Sequence, residues 1–130
     1  MAENIYKTEQ SPKTPLITFD ATTGKFELKG KSIPENSVIF YKPLFEWLDN
    51  YILKPAPQTI LTIQLDYFNT SSSKCIVDLF KKFENISKVG GAEAEINWLY
   101  NEDDEDMQEA GEDYQSIIKT KFNLVSFHKP

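Results

Sequence analysis

The chain has 130 residues, 40% of them hydrophobic and 13% aromatic, and carries a formal net charge of −6. That length fits one domain able to bury about two-thirds of its unfolded surface, and the composition excludes a disordered chain. All 14 basic residues are Lys and none is Arg, so the basic face and Arg forks of a nucleic-acid binder are missing, and an acidic chain gains little from an anionic membrane.

No apolar run approaches the ~18 residues of a membrane span. Met1, Ala2, Glu3 and Asn4 lack the basic region and apolar core of a signal peptide. The single cysteine, Cys75, lies in an apolar stretch and reads as a packed thiol. The expected location is therefore cytoplasmic.

Residues 1–13 are polar and carry Pro12, which predicts a flexible N-terminal tail ahead of a single domain over residues 14–130. Residues 16–19 read as a strand, residues 20–24 as a turn, and residues 25–29 alternate apolar and polar, which predicts an N-terminal β-hairpin. The loop Pro34, Glu35, Asn36, Ser37 offers Asn36 or Ser37 as a helix cap. The helix that follows spaces Phe40, Leu44, Trp47, Leu48 and Tyr51 by threes and fours. Pro43 inside it predicts a kink or a restart, and Pro55 and Pro57 stop it.

Residues 59–68 carry the strongest strand signal. Leu61, Ile63, Leu65 and Tyr67 fall on one face, and Ile60, Thr62 and Phe68 on the other, which predicts a central strand covered on both sides. After Asn69, Thr70, Ser71, Ser72 and Ser73 comes a helix with Ile76, Leu79, Phe80, Phe83 and Ile86 inward, ended by Gly90 and Gly91. Residues 92–99 form a strand with Ala94, Ile96 and Trp98 on one side. The acidic run Glu102, Asp103, Asp104, Glu105, Asp106 leads into a third helix facing inward with Met107, Ala110, Gly111, Tyr114 and Ile118, and residues 122–127 close the sheet. The order β-β-α-β-α-β-α-β predicts an α/β fold: a mixed, mostly parallel sheet of about five strands with three main helices.

In parallel sheets, functional groups gather beyond the carboxyl ends of strands, at helix starts. Thr70, Ser71, Ser72 and Ser73 occupy such a junction. Read structurally, one of them caps the helix, worth about 1 kcal/mol, and the others solvate its first turn. Read functionally, the junction accepts a phosphate. That group adds about −1.5 to −2 charge. It would meet free amides and the positive helix end, worth about 0.3–1 kcal/mol, yet repel a docked partner by several kcal/mol.

Other chemistry has little support. The only histidine, His128, sits near the chain end and reads as a solvated side chain. A Cys–His nucleophilic pair has no support, a two-histidine metal site is ruled out, and no glycine-rich phosphate loop is present. Read structurally, the acidic run places carboxylates in the first turn of the third helix; read functionally, it offers ligands for a hard cation such as Ca²⁺ or Mg²⁺, but it lacks the ligand spacing and turn glycine of an EF-hand, which favours the structural reading. No catalytic residue, cofactor or metal is expected, and the chain does not read as an enzyme.

The run from Asp66 through Tyr67, Phe68, Asn69, Thr70, Ser71, Ser72 and Ser73 to Lys74 resembles the "LxYxNTSS" signature of the SiaC family of bacterial regulatory phosphoproteins. Pro34, Glu35, Asn36 and Ser37 resemble that family's "PENS" element. Pro43, Leu44, Phe45, Glu46, Trp47 and Leu48, followed by Tyr51, resemble its first helix. The resemblance covers about residues 15 to 127. It implies a STAS-like fold, as in anti-sigma-factor antagonists, and a partner-switching pathway. In such a pathway the unphosphorylated protein binds and activates a diguanylate cyclase, the source of cyclic di-GMP. A GHKL-type protein kinase phosphorylates the signature threonine, here Thr70, and a PP2C-type phosphatase removes the phosphate. Asn69, Ser71 and Ser72 are then expected to shape the loop and contact partners, with Pro34, Glu35, Asn36 and Ser37 as a neighbouring partner-binding loop. The alternative is a STAS-like module that binds a small ligand or nucleotide without phospho-control, which predicts a thermal shift with nucleotide alone.

Overall fold

The computed structural model describes residues 4–89 and 91–128. Along the chain run β1 (Ile5–Thr8), β2 (Leu16–Asp20), β3 (Lys25–Ser32), α1 (Ser37–Leu53), β4 (Gln58–Phe68), α2 (Thr70–Ile86), β5 (Glu93–Asn101), α3 (Glu105–Ile117) and β6 (Lys121–Phe127). The strands form one six-stranded sheet in sequence order. β1, β2 and β3 pair antiparallel, and β3 through β6 pair parallel. The mixed, mostly parallel α/β fold with three helices and a β2–β3 hairpin is as expected.

The sixth strand lies where a tail was expected. β1 pairs with β2 from Ile5↔Asp20 to Thr8↔Ile17. Tyr6 turns to the Trp47 ring, with centroids 6.4 Å apart, and Thr8 Oγ1 donates to the Pro15 carbonyl at 3.0 Å. One inward aromatic and a ladder of backbone bonds hold a segment whose polar composition hides the strand. Residues 1–3 of the expected tail lie outside the described residues.

Among the described residues, the sheet is also covered on one face only. Each of the three crossovers steps to the next strand in the same direction, so right-handed connections place α1, α2 and α3 on the same side. On β4, Thr59, Leu61, Ile63 and Leu65 are buried beneath them, while Ile60, Thr62 and Gln64 on the other face are half-buried. Ile60 and Thr62 suit a pleated strand through their branching, and this preference mimics the pattern of two-sided burial.

The face assignment of Tyr67 and Phe68 is inverted as well. The β3–β4 register passes from Gly30↔Leu65 to Lys31↔Tyr67, leaving Asp66 as an extra residue on β4. A bulge of this kind flips the alternation. Tyr67 is exposed, and Phe68 turns inward to Trp98 and Tyr114, with ring centroids 6.2 and 6.5 Å away.

The helices follow their apolar spacing. α1 buries Tyr41, Leu44, Trp47, Leu48 and Tyr51. Tyr41 takes the fully buried place expected for Phe40, which is half-buried. The helix passes through Pro43 without a restart and ends at Leu53 with Lys54 as its C-cap, before Pro55. α2 buries Ile76, Leu79, Phe80, Phe83 and Ile86 completely. Each such side chain contributes about 1.5–3 kcal/mol. α2 ends at Ile86 with Ser87 as its C-cap, earlier than the expected glycine stop. Gly91 serves the turn into β5 at φ 82°, and Gly90 is not described. α3 lies against β5 because Gly111 has no side chain: a Cβ there would sit 2.6 Å from the Trp98 ring. Trp98 Nε1 donates to the Met107 carbonyl at 2.9 Å. This layout puts the starts of all three helices at one edge of the sheet, beyond the carboxyl ends of β3, β4 and β5.

Candidate site at the paired starts of α1 and α2

Each helix start at this edge is capped by a carbonyl or carboxylate oxygen. Asn36 Oδ1 accepts the Ile39 N–H at 3.1 Å, Asn69 Oδ1 accepts the Ser72 N–H at 2.9 Å, and Asp104 Oδ1 accepts the Met107 N–H at 3.0 Å. Asn36, one of the two candidates, is therefore the cap of α1. The cap of α2 is Asn69 rather than one of the hydroxyls after it, which leaves those hydroxyls for another task. Asn69 is fixed on its other sides as well. Its N–H donates to the Ser32 carbonyl at 3.0 Å, and its Nδ2 reaches the Pro34 carbonyl at 3.5 Å.

The hydroxyls form a single directed chain. Ser71 Oγ donates to Asn69 Oδ1 at 3.2 Å, and Ser32 Oγ donates to Ser72 Oγ at 2.8 Å. A hydroxyl has one proton to give, so these two bonds set the direction of the rest. Tyr41 donates to Ser32 (2.6 Å), Ser72 to Ser37 (3.1 Å), and Ser37 to Ser71 (2.7 Å). The chain thus runs Tyr41 → Ser32 → Ser72 → Ser37 → Ser71 → Asn69. It ties β3, α1 and α2 together at the point where all three are cut off from water. Ser32, Ser72 and Tyr41 are 0% exposed, and aligned donors in such a setting reinforce one another. Burial pushes the Tyr41 hydroxyl up to about 12, against a smaller lowering by its bond to Ser32. Tyr41 therefore remains a neutral donor.

Thr70 stands outside this chain. It is the first residue of α2 and is exposed. Among the described residues its hydroxyl has no hydrogen-bond partner. Ser71 beside it is exposed, Ser72 is buried, and Ser73 bonds Tyr114 OH at 3.0 Å. Burial raises Tyr114 as well. The first turn of α2 carries no acidic residue, so the positive end of its dipole is uncompensated.

The two loops singled out in the sequence are brought together here through Ser37–Ser71 and Asn69–Pro34. Pro34 and Ser37 are buried, while Glu35 and Asn36 face solvent. Sequence reasoning missed Ser32, Tyr41 and Tyr114 as members of the site. Two of them carry a readable signal: Ser32 continues the inward alternation of Phe26, Leu28 and Gly30, and Tyr41 follows Ser37 by one helical turn. The N-terminal segment also reaches this edge. The Ile33 N–H donates to the Lys13 carbonyl at 2.8 Å, and the Gln10 side chain packs over Gly30, whose φ of 121° is a backbone conformation that side-chain-bearing residues rarely adopt.

The acidic run acts as structure: Asp104 caps α3, and Glu105 and Asp106 lie in its first turn. With Leu65, Asp66, Asn101 and Phe127 these residues line a hollow of about 540 Å³. Among the described residues, no three His, Cys, Asp or Glu side chains are grouped to hold a metal ion. His128 Nδ1 lies 2.6 Å from Glu102 Oε1 in an exposed position. Cys75 is buried, and its thiol is raised by that burial and, less, by Asp78. No described helix is long and apolar enough to cross a membrane.

Over residues 8–127 the sequence matches the model for "SiaC family regulatory phosphoprotein". It is 28% identical over 111 residues to an uncharacterized protein of Pseudomonas aeruginosa (strain UCBPP-PA14), spanning 85% of this chain and 87% of that one. The fold superimposes on SiaC of Pseudomonas aeruginosa with a TM-score of 0.85 at 22% identity, covering 96% of this chain and 100% of the other. It matches equally, at 24% identity and over 94% and 99% of the two chains, a chain in the crystal structure of the diguanylate cyclase SiaD in complex with its activator SiaC from the same organism.

Proposed function

This chain belongs to the SiaC family of regulatory phosphoproteins, and from that premise we propose that it is a phosphorylation-controlled adaptor whose switch is Thr70. The unphosphorylated form binds and activates a diguanylate cyclase in the cytoplasm. A GHKL-type kinase transfers the γ-phosphoryl group of ATP to Thr70 Oγ1, with the hydroxyl proton passing to the kinase and ADP leaving. A PP2C-type phosphatase returns the hydroxyl by hydrolysis, releasing inorganic phosphate. The chain supplies a surface and an acceptor oxygen, and performs no turnover of its own.

The observation that carries this reading is the contrast within one loop. Thr70 is exposed and its hydroxyl has no partner among the described residues at an uncompensated helix start, while Asn69, Ser71 and Ser72 are bonded to Pro34 and Ser37 of the neighbouring loop. A dianion can be added there without disturbing the apolar core, yet it changes the charge of whatever surface a partner covers. Asn69, Ser71, Glu35 and Asn36 then form the rim of the partner surface, and the buried Ser72, Pro34 and Ser37 hold that rim in place from beneath.

The test is incubation with the cognate GHKL kinase and Mg-ATP followed by peptide mass spectrometry. One phosphate is expected, on Thr70, and none on a Thr70→Ala variant. Full phosphorylation of Thr70→Ala would overturn the assignment.

A further inference from the structure

The bond between Ser71 and Asn69 is the longest oxygen–oxygen link of the hydroxyl chain, at 3.2 Å. It also shares its acceptor, since Asn69 Oδ1 already takes the Ser72 N–H. The chain therefore ends in its weakest bond, one residue from Thr70. We infer that a phosphate on Thr70 captures the Ser71 hydroxyl and so loosens the coupling between the start of α1 and the start of α2.

A phosphate oxygen is a charged acceptor, roughly twice as strong as a neutral amide oxygen. Ser71 is exposed and adjacent in the chain, so its side chain can turn toward the new group. Turning takes its Oγ away from Ser37 Oγ, now 2.7 Å distant. Ser37 then loses its acceptor, and of the two side-chain links between α1 and α2 at this edge only Ser72–Ser37, at 3.1 Å, remains. The first turn of α1 presents Val38 and Ile39, 70% and 67% exposed. Loosening that turn changes a surface on a different element from the one modified. The same logic does not reach α3, whose cap Asp104 shares no hydrogen bond with the chain.

This inference rests on the reading of Thr70 as the switch, but its test needs no kinase. Phosphothreonine is installed at position 70 during translation, and amide hydrogen exchange of the full chain is followed by NMR. In the otherwise unchanged chain, the phosphate should speed exchange of the Ile39, Phe40 and Tyr41 amides by about three- to tenfold, the worth of one lost hydrogen bond. The Met107 and Gln108 amides of α3 should not change. With Ser71→Ala the phosphate should add nothing at α1, because the link is already gone; with Ser71→Thr, which keeps the hydroxyl, the response should return. Unchanged α1 amides in the phosphorylated chain, or an equal response in Ser71→Ala, would overturn the coupling. Failure of the kinase to modify Thr70 would leave this result standing and count against the adaptor reading alone.

Discussion

The starts of α2 and α3 lie at the same edge of the same sheet, and each is capped by an oxygen that accepts the amide three residues on. They differ in charge. α3 opens with Asp104, Glu105 and Asp106, so its dipole is already compensated. α2 opens with Asn69, Thr70, Ser71 and Ser72 and carries no charge in its first turn. One start is finished as it stands. The other is tied by neutral hydroxyls and carries no acidic residue in its first turn, which is what the proposed switch at Thr70 requires. On the proposed reading, a phosphorylatable helix start combines an exposed acceptor with a cap that does not use up the dipole.

That contrast can be broken most forcefully at Ser72. Ser72→Val removes a fully buried hydroxyl and strands the Ser32 proton and the Ser37 oxygen. Urea unfolding should show a loss of about 2–3 kcal/mol. Asp104→Ala, which removes one partly exposed cap at α3, should cost about 1 kcal/mol. Equal losses at the two sites would mean that the hydroxyl chain does not act as a unit.

High pH probes the hydroxyl chain through its first donor. Tyr41 titrates near 10 when unfolded and at about 12 when folded, chiefly because it is buried. Its contribution is complete below pH 10 and is lost as the pH rises through 12, for a total of about 2–3 kcal/mol. Tyr114 is raised in the same direction. A Tyr41→Phe variant, measured by denaturant unfolding between pH 9 and 12, should start less stable and fall less steeply than the unchanged chain.

The smallest effects should have opposite signs at the two starts. Thr70→Asp should stabilise by about 0.3–1 kcal/mol, since it supplies the charge that α2 lacks, and Glu105→Gln should destabilise α3 by a similar amount. Thermal melts at low salt give both. A destabilising Thr70→Asp would show that the start of α2 is not free to receive charge.

Much of this arrangement is legible in the sequence, because apolar spacing reports burial directly. Ile76, Leu79, Phe80, Phe83 and Ile86 announce α2, and the strand before it places Thr70 at a strand–helix junction. What stays hidden depends on partners distant in the chain. β1 is held by backbone bonds that composition does not reveal. The bulge at Asp66, which exposes Tyr67, follows from the β3 register. The open face of the sheet follows from the common hand of three crossovers, while Ile60 and Thr62 on β4 suggest the opposite. In the site, Thr70 and the 34–37 loop can be read from the sequence. The inward placement of Ser32 and Tyr41 is also legible from their spacing, but the bonds that link them into one chain are not, because they join residues up to 40 positions apart.

The central claim is that one phosphate changes binding without changing the fold. The direct measurement is the affinity of a diguanylate cyclase partner for the unmodified chain and for the chain carrying phosphothreonine at position 70, with a thermal melt of each. The account predicts at least about a hundredfold weaker binding after modification, as expected for an uncompensated charge at an interface, and melting temperatures within a few degrees of each other. Equal affinity of the two forms, with both folded, would contradict it.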